Sequence, residues 1–438
     1  MPARAGEGYA RLEGHGGPVK GVAANADGSR ALTASFDYTV GYWDLSGAEP
    51  RLIRWLQGHE AAVNAVAFHP DGERALSAGD DFDVIVWDLP SGDILHRLEG
   101  HEGKVLTAAI APDGASAASA GWDGRIGLWD LEEGRLIRWL EGHRGNVNDV
   151  VFSADGTMLW SASYDGTVRA WPTGGGPSVQ LVSHGFGVNH LVVDEAAGWL
   201  AYGAVDGAVR VIDLATRAEV ADLTAERRPI LALALAADRT AIGVGDGQGY
   251  ISVVDTGGWD FARDFRAAVE GPIWALDWVG AEARLLAGGL ADDAAIWPVT
   301  GTAGEGEALF AAGERHFQKD PAEMTNGERQ FVRKCSICHT LTPDGGHRAG
   351  PTLHGLFGRP AGAVEDYSYS EALADAPIVW SDETIHRLFE EGPDHFTPGS
   401  KMPMQRIKRA EDREDLISFL RENTGPPYGV GDRGGHRP

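Results

Sequence analysis

Short runs of alternating apolar and polar residues recur through the first three hundred positions, as in VNAVAFHPDGERALSAG (63–79). A period of two over such short runs, broken by turn residues, predicts half-buried β-strands. The runs return at a fixed interval. YWDL (42–45), VWDL (86–89), LWDL (128–131), AWPT (170–173), VIDL (211–214), VVDT (253–256) and IWPV (296–299) stand at equivalent places. Taking Trp43, Trp87, Trp129, Trp171, Ile212, Val254 and Trp297 as one position gives steps of 44, 42, 42, 41, 42 and 43 residues. That is the spacing of four-stranded propeller blades, and it predicts seven of them. A fourth strand follows each marker, as in RLIRWLQ (51–57), ILHRLE (94–99) and RLIRWLE (135–141), but none is evident after Trp297. The same outer-strand pattern appears at the other end in YARLEGH (9–15), so the N-terminal segment is predicted to complete the seventh blade and close the ring.

Each of the first five units carries a second mark upstream: Gly14-His15, Gly58-His59, Gly100-His101, Gly142-His143 and the weaker Ser183-His184. An aspartate stands six residues before the marker position at Asp37, Asp81, Asp123, Asp165 and Asp206. These features resemble the WD-repeat family over about two-thirds of the chain. The resemblance implies a structural network, with the aspartate bonded to the Gly-His histidine and Thr33, Ser77, Ser119 and Ser161 passing the bond on to the indole. Groups that recur once per blade around a ring cannot converge on a metal or substrate, so these histidines are read as structural. Units six and seven depart from the pattern, with Gln248 and Ala291 at the aspartate position and no Gly-His.

Beyond Trp297 the pattern changes period. PVTGTAGEGEA (298–308) reads as a flexible linker, and apolar residues then fall at i, i+3 and i+4 in GERQFVRKC (327–335), DETIHRLFEEG (382–392) and EDREDLISFLREN (411–423), which predicts helices. The expected organisation is an all-β seven-bladed propeller over 8–300, a linker over 301–320, an all-α domain over 321–428 and a tail over 429–438. Sixty glycines suit a turn-rich chain, no apolar run reaches the length of a membrane span, and the opening residues contain no apolar segment suited to a secretory signal.

The net charge of −26 is uneven. Residues 305–438 hold 16 basic and 22 acidic side chains, leaving 22 and 42 for residues 1–304, so the two parts carry −6 and −20. Such a surface repels phosphates and anionic lipid, which argues against nucleic acid and for neutral or basic protein partners. Only two cysteines exist, too few for a four-thiolate metal site and too close for a disulfide framework. They sit in Cys335-Ser336-Ile337-Cys338-His339, the spacing at which one helical turn presents two thiols to the vinyl groups of haem while the adjacent histidine faces the iron.

Around that string, residues 327–424 resemble class I cytochrome c. GPTLHGLFGRPAG (350–362) is similar to the family's segment after the haem motif and implies that the Pro351 carbonyl accepts the ring N–H of His339, the proximal ligand. The resemblance places Arg359, Tyr369 and Trp380 around buried haem propionates. It also makes PGSKMPMQ (398–405) the methionine loop, with Met402 as the sixth ligand and Met404 as its rival two residues on. Met324 lacks such a context, and His386 or His395 as a second histidine ligand is the lesser alternative. Lys401, Arg406, Lys408 and Arg409 form a basic cluster near the methionine, suited to steering an acidic redox partner.

A His/Met iron has no open position, so the expected function is electron transfer by one covalent haem c, without catalysis, with the propeller as a docking scaffold for a redox protein. Two alternatives stand beside it. One is an oxidoreductase whose propeller binds a substrate or further cofactor, and the other an assembly scaffold that responds to haem redox state. Attachment of haem c in bacteria takes place outside the cytoplasm, which implies a periplasmic location.

Overall fold

The computed structural model describes residues 10–224, 229–268, 271–280, 284–299, 324–335, 339–343, 350–364, 367, 369, 371–374, 376–397, 402, 406–407, 409–426 and 428. The chain forms two compact units, Met1–Ala311 and Ala312–Pro438.

The first unit holds seven four-stranded antiparallel sheets, each built from strands that neighbour in sequence except the last. The first blade runs Val19–Ala24, Arg30–Ser35, Thr39–Asp44 and Arg51–Gln57 from the inside outward. Its second strand is buried at five of six positions, whereas the outermost strand alternates, as expected of a sheet packed on both faces near the centre and open at its rim. In the seventh sheet Ala10–Glu13 pairs with Asp293–Pro298, so the expected closure by the N-terminal segment is present. Leu12 is fully buried between the first and last blades, and Arg11 adds an ion pair to Asp293.

The repeated polar residues form the expected network. His15 Nδ1–H donates to Asp37 (2.8 Å), the Thr33 hydroxyl lies 2.6 Å from His15 Nε2, and the Trp43 indole N–H donates to Thr33 (2.8 Å). The same chain of bonds repeats at 59/81/77/87, 101/123/119/129 and 143/165/161/171. Burial alone would push the Asp37 carboxyl up, but the His15 ring, the Thr39 hydroxyl and the Gly16 N–H outweigh it and hold it below the usual carboxylate range. Blade five differs: His184 meets Asp206 through Nε2, and the Tyr202 hydroxyl takes the place of Ser or Thr against Nδ1 at 3.3 Å. The longer phenol fits because Ile212 replaces the indole it would otherwise meet. In blade six, Asp246 supplies the missing turn bonds two residues early, accepting from Gln248 N and Tyr250 N.

Among the described residues the regular elements of the second unit are helices, with one isolated bridge between Pro360 and Val379 and irregular chain between them. Its helices are α1 (Asn326–Lys334), α2 (Glu371–Ala374), α3 (Asp382–Glu391), α4 (Pro393–Phe396) and α5 (Ala410–Asn423). Thr325 caps α1 by accepting from Glu328 N, and Ser381 with Thr384 makes a reciprocal capping box on α3. Gly392 ends α3 and starts α4 at φ 94°, a conformation that side chains resist. The helices α1 and α5 pack together, and Gly327 lets them approach so closely that a Cβ there would collide with the Asp415 carbonyl. Asn326 Nδ2 bridges Asp412 and Asp415, and Phe331 packs on Phe419 with ring centres 5.4 Å apart.

Candidate haem site

Helix α1 delivers the first cysteine. It ends at Cys335, whose N–H donates to Phe331 O at 2.8 Å, and Cys335 is buried. The His339 N–H donates in turn to Cys335 O at 2.8 Å, which ties the residue bearing the imidazole to the residue bearing the thiol. Cys338 lies outside the described residues.

His339 Nδ1 donates to the Pro351 carbonyl at 2.8 Å, as expected. Desolvation by burial is the larger influence on this ring and lowers its pKa; the Pro351 carbonyl opposes it and the Arg359 charge adds to it. A neutral imidazole with its proton held on Nδ1 keeps its lone pair on Nε2, which is the form that binds a metal. Gly350 presses against the same ring, where a Cβ would overlap Cε1. The residue escaped the sequence reading, although its place before Pro351 was visible.

Arg359 is buried and donates to His354 O (2.8 Å) and Thr352 O (2.7 Å). Two of its donors therefore brace the loop that carries Pro351. Its charge also acts on Tyr369, whose pKa burial raises, and Trp380 is tied to it by paired backbone bonds, Trp380 N to Arg359 O and Gly358 N to Trp380 O. The three expected propionate residues thus share one neighbourhood. Cys335 belongs to an apolar core with Leu353, Phe357, Ile385 and Phe389, against which Trp380 and Met402 pack half-buried. Met404 lies outside the described residues, as do Lys401 and Lys408. Of the remaining basic cluster, Arg409 is exposed and bonds Glu411 at 2.6 Å. His386 receives the Arg413 Nε–H on its Nε2 at 3.2 Å. Met324 is buried, its carbonyl accepting from Arg329.

Residues 6–44, 50–88, 92–130 and 134–172 match the family described as WD domain, G-beta repeat. Residues 324–424 match the Cytochrome c family. Over 102 residues the chain is 42% identical to a cytochrome c of Gibberella zeae, covering 23% of this chain and 95% of that protein. The chain belongs to the cytochrome c family. The cytochrome c of Arabidopsis thaliana is 44% identical over 102 residues (23% of this chain, 90% of that protein), and that of Sesamum indicum 37% over 107 residues (24% and 96%). Family membership implies haem. The residues of this cytochrome unit fit it: a half-buried neutral imidazole with Nε2 left for a metal, the buried thiol of Cys335 joined to it through the His339 N–H to Cys335 O bond, and an apolar wall carrying a thioether.

Proposed function

We propose that the chain carries a single haem c, attached through Cys335 and Cys338 and ligated by His339 and Met402, and that it passes electrons to a redox protein held by the propeller. The observation that carries this reading is the 2.8 Å bond from His339 Nδ1 to Pro351 O, which orients the ring and makes Nε2 the ligand atom. Haem c, when bound, supplies a one-electron iron couple. The protein's own residues hold that couple in place: Arg359 braces the Pro351 loop, the Leu353 and Phe389 side chains exclude water, and Met402 stands on the same apolar wall. Two protein ligands leave no position for substrate, which favours electron exchange over catalysis at the iron. The class I all-α fold belongs to the same reading, as does a periplasmic location, which follows from where bacteria attach haem c.

Mass measurement of the unfolded protein tests attachment. One haem mass should remain on the chain after denaturation, and the Cys335→Ala/Cys338→Ala double variant should lose it. Haem that separates from the unmutated chain on denaturation contradicts the proposal.

A further inference from the structure

The innermost strands of the seven blades enclose a cavity of about 410 Å3. Its walls are stitched across blade boundaries. Asn64 Nδ2 donates to Val105 O (2.9 Å), Asn148 Nδ2 to Val188 O (2.9 Å) and Asn189 Nδ2 to Ile230 O (2.7 Å). The carboxylates that line it, or stand at its edge, are supplied as well. Asp149 accepts from Leu191 N and Val150 N and faces His190 at 3.2 Å, and Asp277 accepts from Ala24 N and Trp278 N. Asp80 takes the Lys104 ammonium and an Asn64 N–H.

One strong donor has no such partner. Lys20, the second residue of the first inner strand, lines the cavity, and its ammonium makes no hydrogen bond among the described residues. It lies over the Trp274 ring, 5.3 Å from the centre, and Trp274 in turn stacks on Phe36. Burial lowers its pKa to about 8, the Asp80 charge only partly opposing this. Lys20 is half-buried, and its ammonium faces the cavity without a protein acceptor among the described residues, so an anion entering the cavity could pair with it.

The surroundings say what carries the anion. Residues 1–304 contain 22 basic side chains, and only Lys20 and Lys104 are lysines. Both sit where the inner strands begin, Lys104 over the Trp122 ring at 5.1 Å. In antiparallel blades that end of the inner strand shares one face with the turn joining the second and third strands. Trp122, Tyr164 and Phe186 stand on that face, 54%, 61% and 59% exposed. A small free acid would leave these rings uncovered, whereas exposed aromatics on the same face as the channel mouth suit a protein segment. With the Lys104 ammonium already paired to Asp80, the Lys20 ammonium is the one left to an anion, and a single ammonium suits one carboxylate better than a doubly charged phosphate, which needs a fork of donors.

We propose that this mouth of the propeller is a socket for an aspartate or glutamate side chain of a protein partner, its carboxylate received by Lys20 and its apolar neighbours covering Trp122, Tyr164 and Phe186. The proposal rests on the docking-scaffold reading and specifies its partner: neutral or basic overall, to suit the net charge of −20 on residues 1–304, with one acidic anchor.

Calorimetric titration of the full haem-loaded chain with the blocked peptide acetyl-Ser-Phe-Glu-Phe-Ser-amide, its Gln counterpart and free N-acetylglutamate amide tests it. The Glu peptide should bind at least about tenfold tighter than the Gln peptide, Lys20→Met should remove that difference, and Lys104→Met should change it by less than about threefold. Equal affinity for the two peptides overturns the socket without recourse to any variant. So does an unchanged preference in Lys20→Met, or free N-acetylglutamate amide binding as tightly as the peptide. If a redox protein co-purifies with the chain and stays with Lys20→Met, the socket is wrong and the scaffold stands. If the peptide binds through Lys20 yet leaves electron exchange with co-purifying redox proteins unchanged, the socket stands and the scaffold falls.

Discussion

Gly350 and Pro351 set His339 from two sides, one by leaving room and one by accepting the Nδ1 proton. Gly350→Ala is expected to push the imidazole off the carbonyl and lower the midpoint of thermal unfolding of the haem-loaded protein. An unchanged midpoint and unchanged visible spectrum would show that the ring tolerates the methyl. Asp37 offers a second residue-level test. Replacing it with alanine strands the buried His15 and Gly16 donors, and breaking a buried pair of this kind costs about 3–5 kcal/mol, readable from urea unfolding. Its folded pKa is depressed, so its contribution is present above the unfolded value of about 3.9 and is lost as pH falls toward the folded one. Unfolding midpoints measured downward from pH 5 should therefore drop less steeply in Asp37→Asn than in the unmutated chain. At this scale the sequence was legible where a residue recurs or sits in a motif, as with His15, Asp37 and His339. Tyr202 and Gly350 were not legible, because their roles depend on which ring lies across from them in space. Arg359 was legible only through the family resemblance, as a residue near the haem propionates, and its carbonyl partners His354 and Thr352 were not legible.

Elements followed from periodicity. The three long helices lie within a residue of the expected segments at one or both ends, because amphipathic spacing and the Thr325 and Ser381 caps mark their limits. The four-residue helices α2 and α4 are too short to show a period. The N-terminal strand was legible through its match to other outer strands, and its pairing with Asp293–Pro298 makes closure of the ring testable. Leu12 is fully buried at that seam, and Leu12→Ala should destabilise the propeller by about 2–5 kcal/mol in chemical denaturation. An effect no larger than that of an exposed substitution would mean the seam is not a closure. In the cytochrome unit, Gly327→Val should separate α1 from α5 and cost about 1–3 kcal/mol, measured the same way.

For the whole molecule, the uneven charge separates what the two units can do. The propeller, at −20, repels acidic partners at long range, yet its channel mouth concentrates the two lysines of residues 1–304. Long-range steering and short-range anchoring can therefore have opposite signs. Electron exchange with a basic partner should slow as salt rises, and exchange with an acidic one should quicken, since salt screens attraction and repulsion alike. Stopped-flow rates at several ionic strengths give the sign. Identical slopes for both partners would remove net charge from the account. Among the described residues no helix is long and apolar enough to cross a membrane, and no group of three or more His, Cys, Asp and Glu side chains is placed to hold a metal ion.

The central claim, that His339 and Met402 close a six-coordinate haem site, is tested most directly by the far-red charge-transfer band of the oxidised protein, recorded for the unmutated chain, Met402→Ala and Met404→Ala. The account predicts the band in the unmutated chain and in Met404→Ala and its loss in Met402→Ala. A band that survives in Met402→Ala and disappears in Met404→Ala, or is missing from the unmutated protein, would contradict it.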